Sequence, residues 1–190
     1  MLPDHVTKLY PIKQHQFVHP DHLHHIQNLQ SMNQYFSYGY LSKDGRVFVP
    51  TDTDFNGSWY LNYQLQSVND ILQTRVGNCF DMVEFEREWF SNHGYQIKTF
   101  FEMVLLDYNN SYSMHSFLIY EEDDTWFLFE FSDFMHKGIF KFPTIEKLLE
   151  YQKSNYISIL QDQDIKNTEL EKLILKEFKQ PKTGITASEY

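Results

Sequence analysis

The stretch from Tyr95 to Phe131 constrains this chain most. Tyr95–Asp107, Tyr112–Glu121 and Thr125–Phe131 are dense in aromatic and aliphatic residues, the composition that suits a pleated surface packed against a core. They read as three consecutive strands, the last two forming a hairpin about Asp123-Asp124. The segments around them read largely as helices. His19-Pro20-Asp21 marks a helix start followed by Leu23, Ile26, Leu29 and Met32 at helical spacing. Asn56 is placed to cap a helix carrying Trp59, Tyr60 and Tyr63, and a short helix is expected over Ser67–Gln73. Phe80–Phe90 is an amphipathic helix. Met82, Val83, Trp89 and Phe90 share its apolar stripe, Glu86 is the polar exception, and Asn92, His93 and Gly94 end it. Thr144–Gln152 and Asn167–Phe178 read as two further helices. Tyr38–Leu41 and Arg46–Val49 flank Asp44-Gly45 as a hairpin. Helices first, then strands, then helices gives an α+β chain, not alternating α/β.

The 190 residues suit one domain. Its core is expected at about 55–135, with a helix and hairpin extension over 1–54, helices over 136–190 and a frayed tail at Pro181–Tyr190. Aromatic residues number 17 + 13 + 3 = 33, too much apolar surface for a disordered chain. A net charge of −10 argues against nucleic acid, which is bound by neutralising phosphates with Lys and Arg. The single cysteine excludes an internal disulfide and a Cys-rich zinc site. The start of the sequence lacks the cationic-then-apolar pattern of a secretory signal, and no apolar run approaches the ~18 residues of a membrane span. The expectation is a cytoplasmic protein with no membrane partner.

Cys79 falls at the first turn of the Phe80–Phe90 helix. Unpaired backbone N–H groups and the helix dipole favour a thiolate at such a position, and the same N–H groups suit an oxyanion. Gly77 is read as the residue that lets the chain turn into the helix. A base is placed by the hairpin. If residue 122 pairs with 125, His115 and Glu130 project from one face as diagonal neighbours. This register puts Asp133 on the other face unless a bulge intervenes. Nucleophile, base and orienting acid then follow the logic of a catalytic triad.

Thr74-Arg75-Val76-Gly77-Asn78-Cys79-Phe80, opening a helix, resembles the cysteine motif of the transglutaminase-like superfamily. His115, the alternating residues after it, the acidic turn, Trp126 and the acid fifteen residues beyond the His resemble its other two motifs. The run Ile71–Phe90 is similar to small bacterial members. The resemblance covers about residues 55–135. It implies a papain-like α+β core and thiol chemistry on an amide or acyl group of a peptide or protein, with Cys79, His115 and Glu130 as the catalytic set and release to water or to an amine. The family usually has Asp where this chain has Glu130. That departure keeps Asp133 as an alternative acid and motivates the rival reading of an inactive binding module. The resemblance also raises Gln73, six residues before Cys79, as an oxyanion residue against a solvated glutamine, and Trp59 as a groove residue against a core tryptophan.

His15, His19, His22, His24 and His25 lack companions that complete a ligand set, so they read as a solvated polar face and no metal site is expected. The chain contains no phosphate-cradling or dinucleotide-binding glycine loop, and no cofactor is expected.

Overall fold

The computed structural model describes residues 32, 34–55, 59–106, 111–133, 136–162, 172–181 and 183–186. In chain order the elements are β1 (Ser37–Tyr38), β2 (Tyr40–Leu41), β3 (Val47–Phe48), α1 (Trp59–Asn62), α2 (Val68–Thr74), β4 (Val76–Gly77), α3 (Cys79–Asn92), β5 (Gln96–Leu106), β6 (Ser111–Glu122), β7 (Thr125–Glu130), β8 (Gly138–Phe142), α4 (Ile145–Asp162) and β9 (Ile174–Phe178). The architecture is α+β.

The organising feature is an antiparallel sheet in the order β8-β7-β6-β5-β9. The β6–β7 turn is tight because Asp123 and Asp124 both take left-handed backbone angles, φ 49° and 57°, as a two-residue hairpin requires. Glu122 pairs with Thr125 and Leu118 with Phe129, the register expected from the sequence. Alternate residues of each strand face opposite sides, and both sides are covered. Leu118, Tyr120, Phe127 and Phe129 share a cluster with Met82, Phe85, Trp89 and Phe90 of α3. Phe117, Ile119, Leu128, Phe140 and Phe142 share another with Leu148 of α4. Double coverage explains why these strands lack the polar alternation of a one-sided sheet.

Three expectations change here. Ile174–Phe178 is an edge strand, not part of a helix, and pairs with β5 from Met103↔Ile174 to Thr99↔Phe178. The spacing of Leu173, Ile174 and Phe178 fits a helix. The open edge of β5, however, presents a row of backbone donors and acceptors that a strand satisfies. Residues 167–171 lie outside the described residues. The helix read over Thr144–Gln152 continues to Asp162, and Gly138–Phe142 is a strand where helices are expected over 136–190.

The tail is also better anchored than expected. The N–H of Gly184 donates to the carbonyl of Leu65, and the N–H of Leu65 donates to the carbonyl of Ile185, both at 2.8 Å. Ile185 packs against the cluster of Tyr40, Tyr63, Leu65, Cys79 and Phe80. Residues 187–190, the His-rich segment and the capping Asn56 lie outside the described residues. Of the first helix reading, Met32 is described, and its side chain is buried in the α3 cluster. The Asp44-Gly45 hairpin forms as expected, with Tyr40↔Phe48 and Leu41↔Val47 paired. Among the described residues, no helix is long and apolar enough to cross a membrane.

Candidate active site

The site begins where β4 runs into α3. β4 pairs in parallel with β1, Tyr38 standing opposite Gly77. A Cβ on Gly39, the next residue, would collide with the carbonyl of Phe48 and the side chain of Val76, so glycine lets the β2–β3 hairpin press against this approach. Gly77 serves a purpose other than the expected turn. It lies within a strand and is not among the glycines with left-handed backbone. A Cβ there would sit 3.0 Å from Asp81 Cβ and Met82 Sδ. Its smallness admits the first turn of α3.

Asn78 caps α3. Its Oδ1 accepts from the N–H of Phe80 at 2.9 Å and of Asp81 at 3.2 Å, while Asp81 Oδ2 accepts from the N–H of Asn78 at 3.2 Å. This reciprocal capping box makes Cys79 the first helical residue. Asp81 is fully buried and reaches further. Its Oδ1 accepts from the Tyr63 hydroxyl at 2.9 Å and the Gln66 N–H at 3.0 Å, and its Oδ2 accepts from Gln66 Nε2 at 3.2 Å. Burial pushes the Asp81 carboxyl up to about 6, against the pull of its bonds to Gln66, Asn78 and Tyr63.

Cys79 is 7% exposed and interacts electrostatically with His115, raising the affinity of the imidazole for a proton. The β6–β7 ladder stops at Leu118↔Phe129, so His115 sits on a stretch of β6 that β7 does not flank. Met114 and Phe101, which project oppositely to His115 along the sheet, pack against the cluster containing Cys79. Nε2 of His115 lies 2.8 Å from Glu130 Oε2. Glu130 is itself held: its Oε1 accepts from the N–H groups of Ser132 and Asp133, each at 2.7 Å. Burial alone would lower the affinity of His115 for a proton. The Glu130 carboxylate outweighs it, aided by Cys79, and holds the imidazole well above its ordinary value.

Asp133, the alternative acid, is directed elsewhere. It bonds His136 Nδ1 at 3.0 Å and Asn155 Nδ2 at 3.2 Å. Gln73 lies on the exposed side of α2, whereas Gln66 is the buried glutamine near the helix start, with Nε2 bonded to the carbonyl of Val76 at 2.8 Å. Trp59 opens α1. Tyr38, 45% exposed as a whole and paired opposite Gly77, has the pKa of its hydroxyl raised by burial and by the neighbouring Cys79 and Asp81. Among the described residues, no three His, Cys, Asp or Glu side chains gather in a way that would hold a metal ion.

Two further acids stand around His115. Glu86, the polar exception on the α3 stripe, is buried and interacts electrostatically with Glu130, His115 and Cys79; burial first, then Glu130, raises its carboxyl well above the usual range. Glu102 is directly paired with His115 in the β5–β6 ladder and fully buried. Its Oε1 accepts from Gln152 Nε2 at 2.8 Å, while its Oε2 and the Oε1 of Gln152 have no partner. Burial pushes Glu102 up to about 8. A protonated carboxyl carries the donor that the bare Gln152 oxygen lacks. Both acids carry a sequence signal, a carboxylate within an apolar run.

Glu102 makes stability depend on pH. Its native value is raised above the ordinary 4.5. Its contribution is therefore fully present below ~4.5 and is lost as pH rises through about 8. Glu102→Gln keeps the shape and cannot ionise. Thermal melts should show the variant matching the parent near pH 4 and exceeding it by a growing margin up to pH 9.5. Equal pH dependence in the two proteins would refute this assignment.

Compared with protein-family models, with curated proteins and with solved structures, the chain matches none.

Proposed function

We propose that this chain performs thiol-dependent acyl chemistry at Cys79, on a papain-like core of the transglutaminase-like kind that its motifs resemble. One observation carries the reading: His115 is hydrogen-bonded to Glu130, and Cys79 stands close enough to the same ring to raise its proton affinity. A nucleophile at a helix start, a base beside it and an acid bonded to the base are the parts such chemistry needs. The Cys79 sulfur attacks the carbonyl of a peptide or protein amide, forming the S–C bond as the carbonyl electron pair moves to oxygen. Collapse breaks the C–N bond, and the departing amine takes its proton from His115. Water or a second amine, deprotonated by His115, then displaces the thiol. A reducing cytoplasm would keep this lone thiol available.

Because Cys79 is the sole cysteine, the test is direct. The full chain is mixed with p-nitrophenyl acetate and intact mass is followed. One acetyl group should appear at once on Cys79 and then turn over, and Cys79→Ala should acquire none there. Adding an alkylamine distinguishes hydrolysis from transfer. No acetyl on Cys79, together with iodoacetamide capture no faster than that of glutathione, would instead indicate a binding module.

A further inference from the structure

We infer that the side-chain amide of Asn78 is a catalytic hydrogen-bond donor, whose Nδ2, together with the N–H of Cys79, binds the oxyanion formed when the Cys79 sulfur adds to a carbonyl. The inference rests on the acyl-transfer reading of Cys79 and names a group that reading leaves open.

The helix start alone supplies too few donors. Of the first four N–H groups of α3, those of Phe80 and Asp81 are taken by Asn78 Oδ1. That of Met82 donates to the Asn78 carbonyl at 2.9 Å. Only the N–H of Cys79 is left for an incoming carbonyl oxygen, whereas stabilising an oxyanion depends on convergent donors. Gln73, the donor suggested by motif spacing, is exposed on α2.

Asn78 supplies the missing donor. Its side chain is 4% exposed, and its Nδ2 is buried with no hydrogen-bond partner. The two bonds to Oδ1 pin the amide over the helix terminus, so Nδ2 is carried on that terminus beside Cys79. A buried, unpaired amide costs about 1–3 kcal/mol, and capping does not require it. Ser and Asp cap about as well as Asn and would bury no orphan N–H. The choice of Asn is explained if the donor is used during reaction. The positive end of the helix dipole favours negative charge at the same place.

As the S–C bond forms, the carbonyl electron pair moves onto oxygen, and Nδ2 and the Cys79 N–H hold that charge. When the pair returns to re-form the carbonyl, the leaving group departs with a proton from His115. No proton leaves Asn78.

The test uses Asn78→Ser and Asn78→Asp, each of which retains a capping oxygen. Ser adds no charge, and Asp offers no donor. Acylation of Cys79 by p-nitrophenyl acetate should fall roughly 10²–10³-fold in both, through kcat and not KM. Alkylation by iodoacetamide, which attacks a saturated carbon and forms no oxyanion, should keep its wild-type rate, and melting temperatures should hold or rise, since the orphaned amide is gone. Wild-type acylation in either variant would overturn the inference. So would a parallel fall in alkylation or melting temperature, which marks a structural role. Failure of the parent chain to be acylated at all would instead remove the underlying reading.

Discussion

Replacing His115 with Ala is expected to slow acyl transfer from Cys79 by roughly 10²–10⁴-fold, the usual contribution of a positioned base. The ring is bonded to Glu130 and interacts with Cys79, so under the proposed reaction its loss would remove activation of the nucleophile and protonation of the leaving amine together. Glu130 keeps its two backbone donors, which limits the damage to folding, and circular dichroism of the variant should match the parent. Added imidazole should restore part of the rate, because the vacated space faces both partners. A variant that turns over an activated ester at the parent rate would show that His115 is a packing residue. The raised proton affinity of His115 has its own consequence for stability. Its contribution is complete below the unfolded value near ~6.5 and is lost as pH climbs through the higher native value.

Asp81→Ala should be the most destabilising substitution near the site, by roughly 3–5 kcal/mol, since it strips acceptors from buried donors. The Tyr63 hydroxyl and the N–H groups of Gln66 and Asn78 would lose their partner, while Gln66 Nε2 would keep the carbonyl of Val76. For a chain of this length each kcal/mol corresponds to about 2–4 °C, so a fall on the order of 10 °C is expected in a thermal melt. The loss should also depend on pH. Asp81 titrates near 6 in the fold, above its ordinary 3.8. Its contribution is therefore complete below ~3.8 and declines as pH passes about 6. The gap between parent and variant should widen from pH 7 to pH 5. A variant that melts with the parent would mean that Asp81 organises nothing.

What the sequence made legible follows from how local each signal is. The β6–β7 register depends on a two-residue turn and on alternation, both written in adjacent residues, and it brings His115 to Glu130 as the count from Asp123-Asp124 requires. The position of Cys79 depends on Asn78 and Asp81, again local. β9 was misread because Leu173, Ile174 and Phe178 fit a helix by spacing, while their true constraint, the open edge of β5, lies some seventy residues away in sequence. The capping role of Asn78 hid its free amide, which becomes visible only once the partners of the first helical turn are accounted for. Gln66 escaped notice because nothing in its neighbourhood distinguishes a buried glutamine from a solvated one. Its burial is decided by Asp81 and Val76.

The two bonds that join Leu65 to Gly184 and Ile185 bear on the order in which the molecule assembles. The apolar housing of Cys79 is built from Tyr40, Tyr63 and Leu65, from Phe80 of α3 and from Ile185, more than a hundred residues further on. Contacts between segments so far apart form slowly, because a long loop must close before they are rewarded. A growing chain would have its sheet and central helix complete while the thiol still lacked this last wall. The housing of Cys79 is therefore complete only after the segment around Gly184 and Ile185 has joined Leu65.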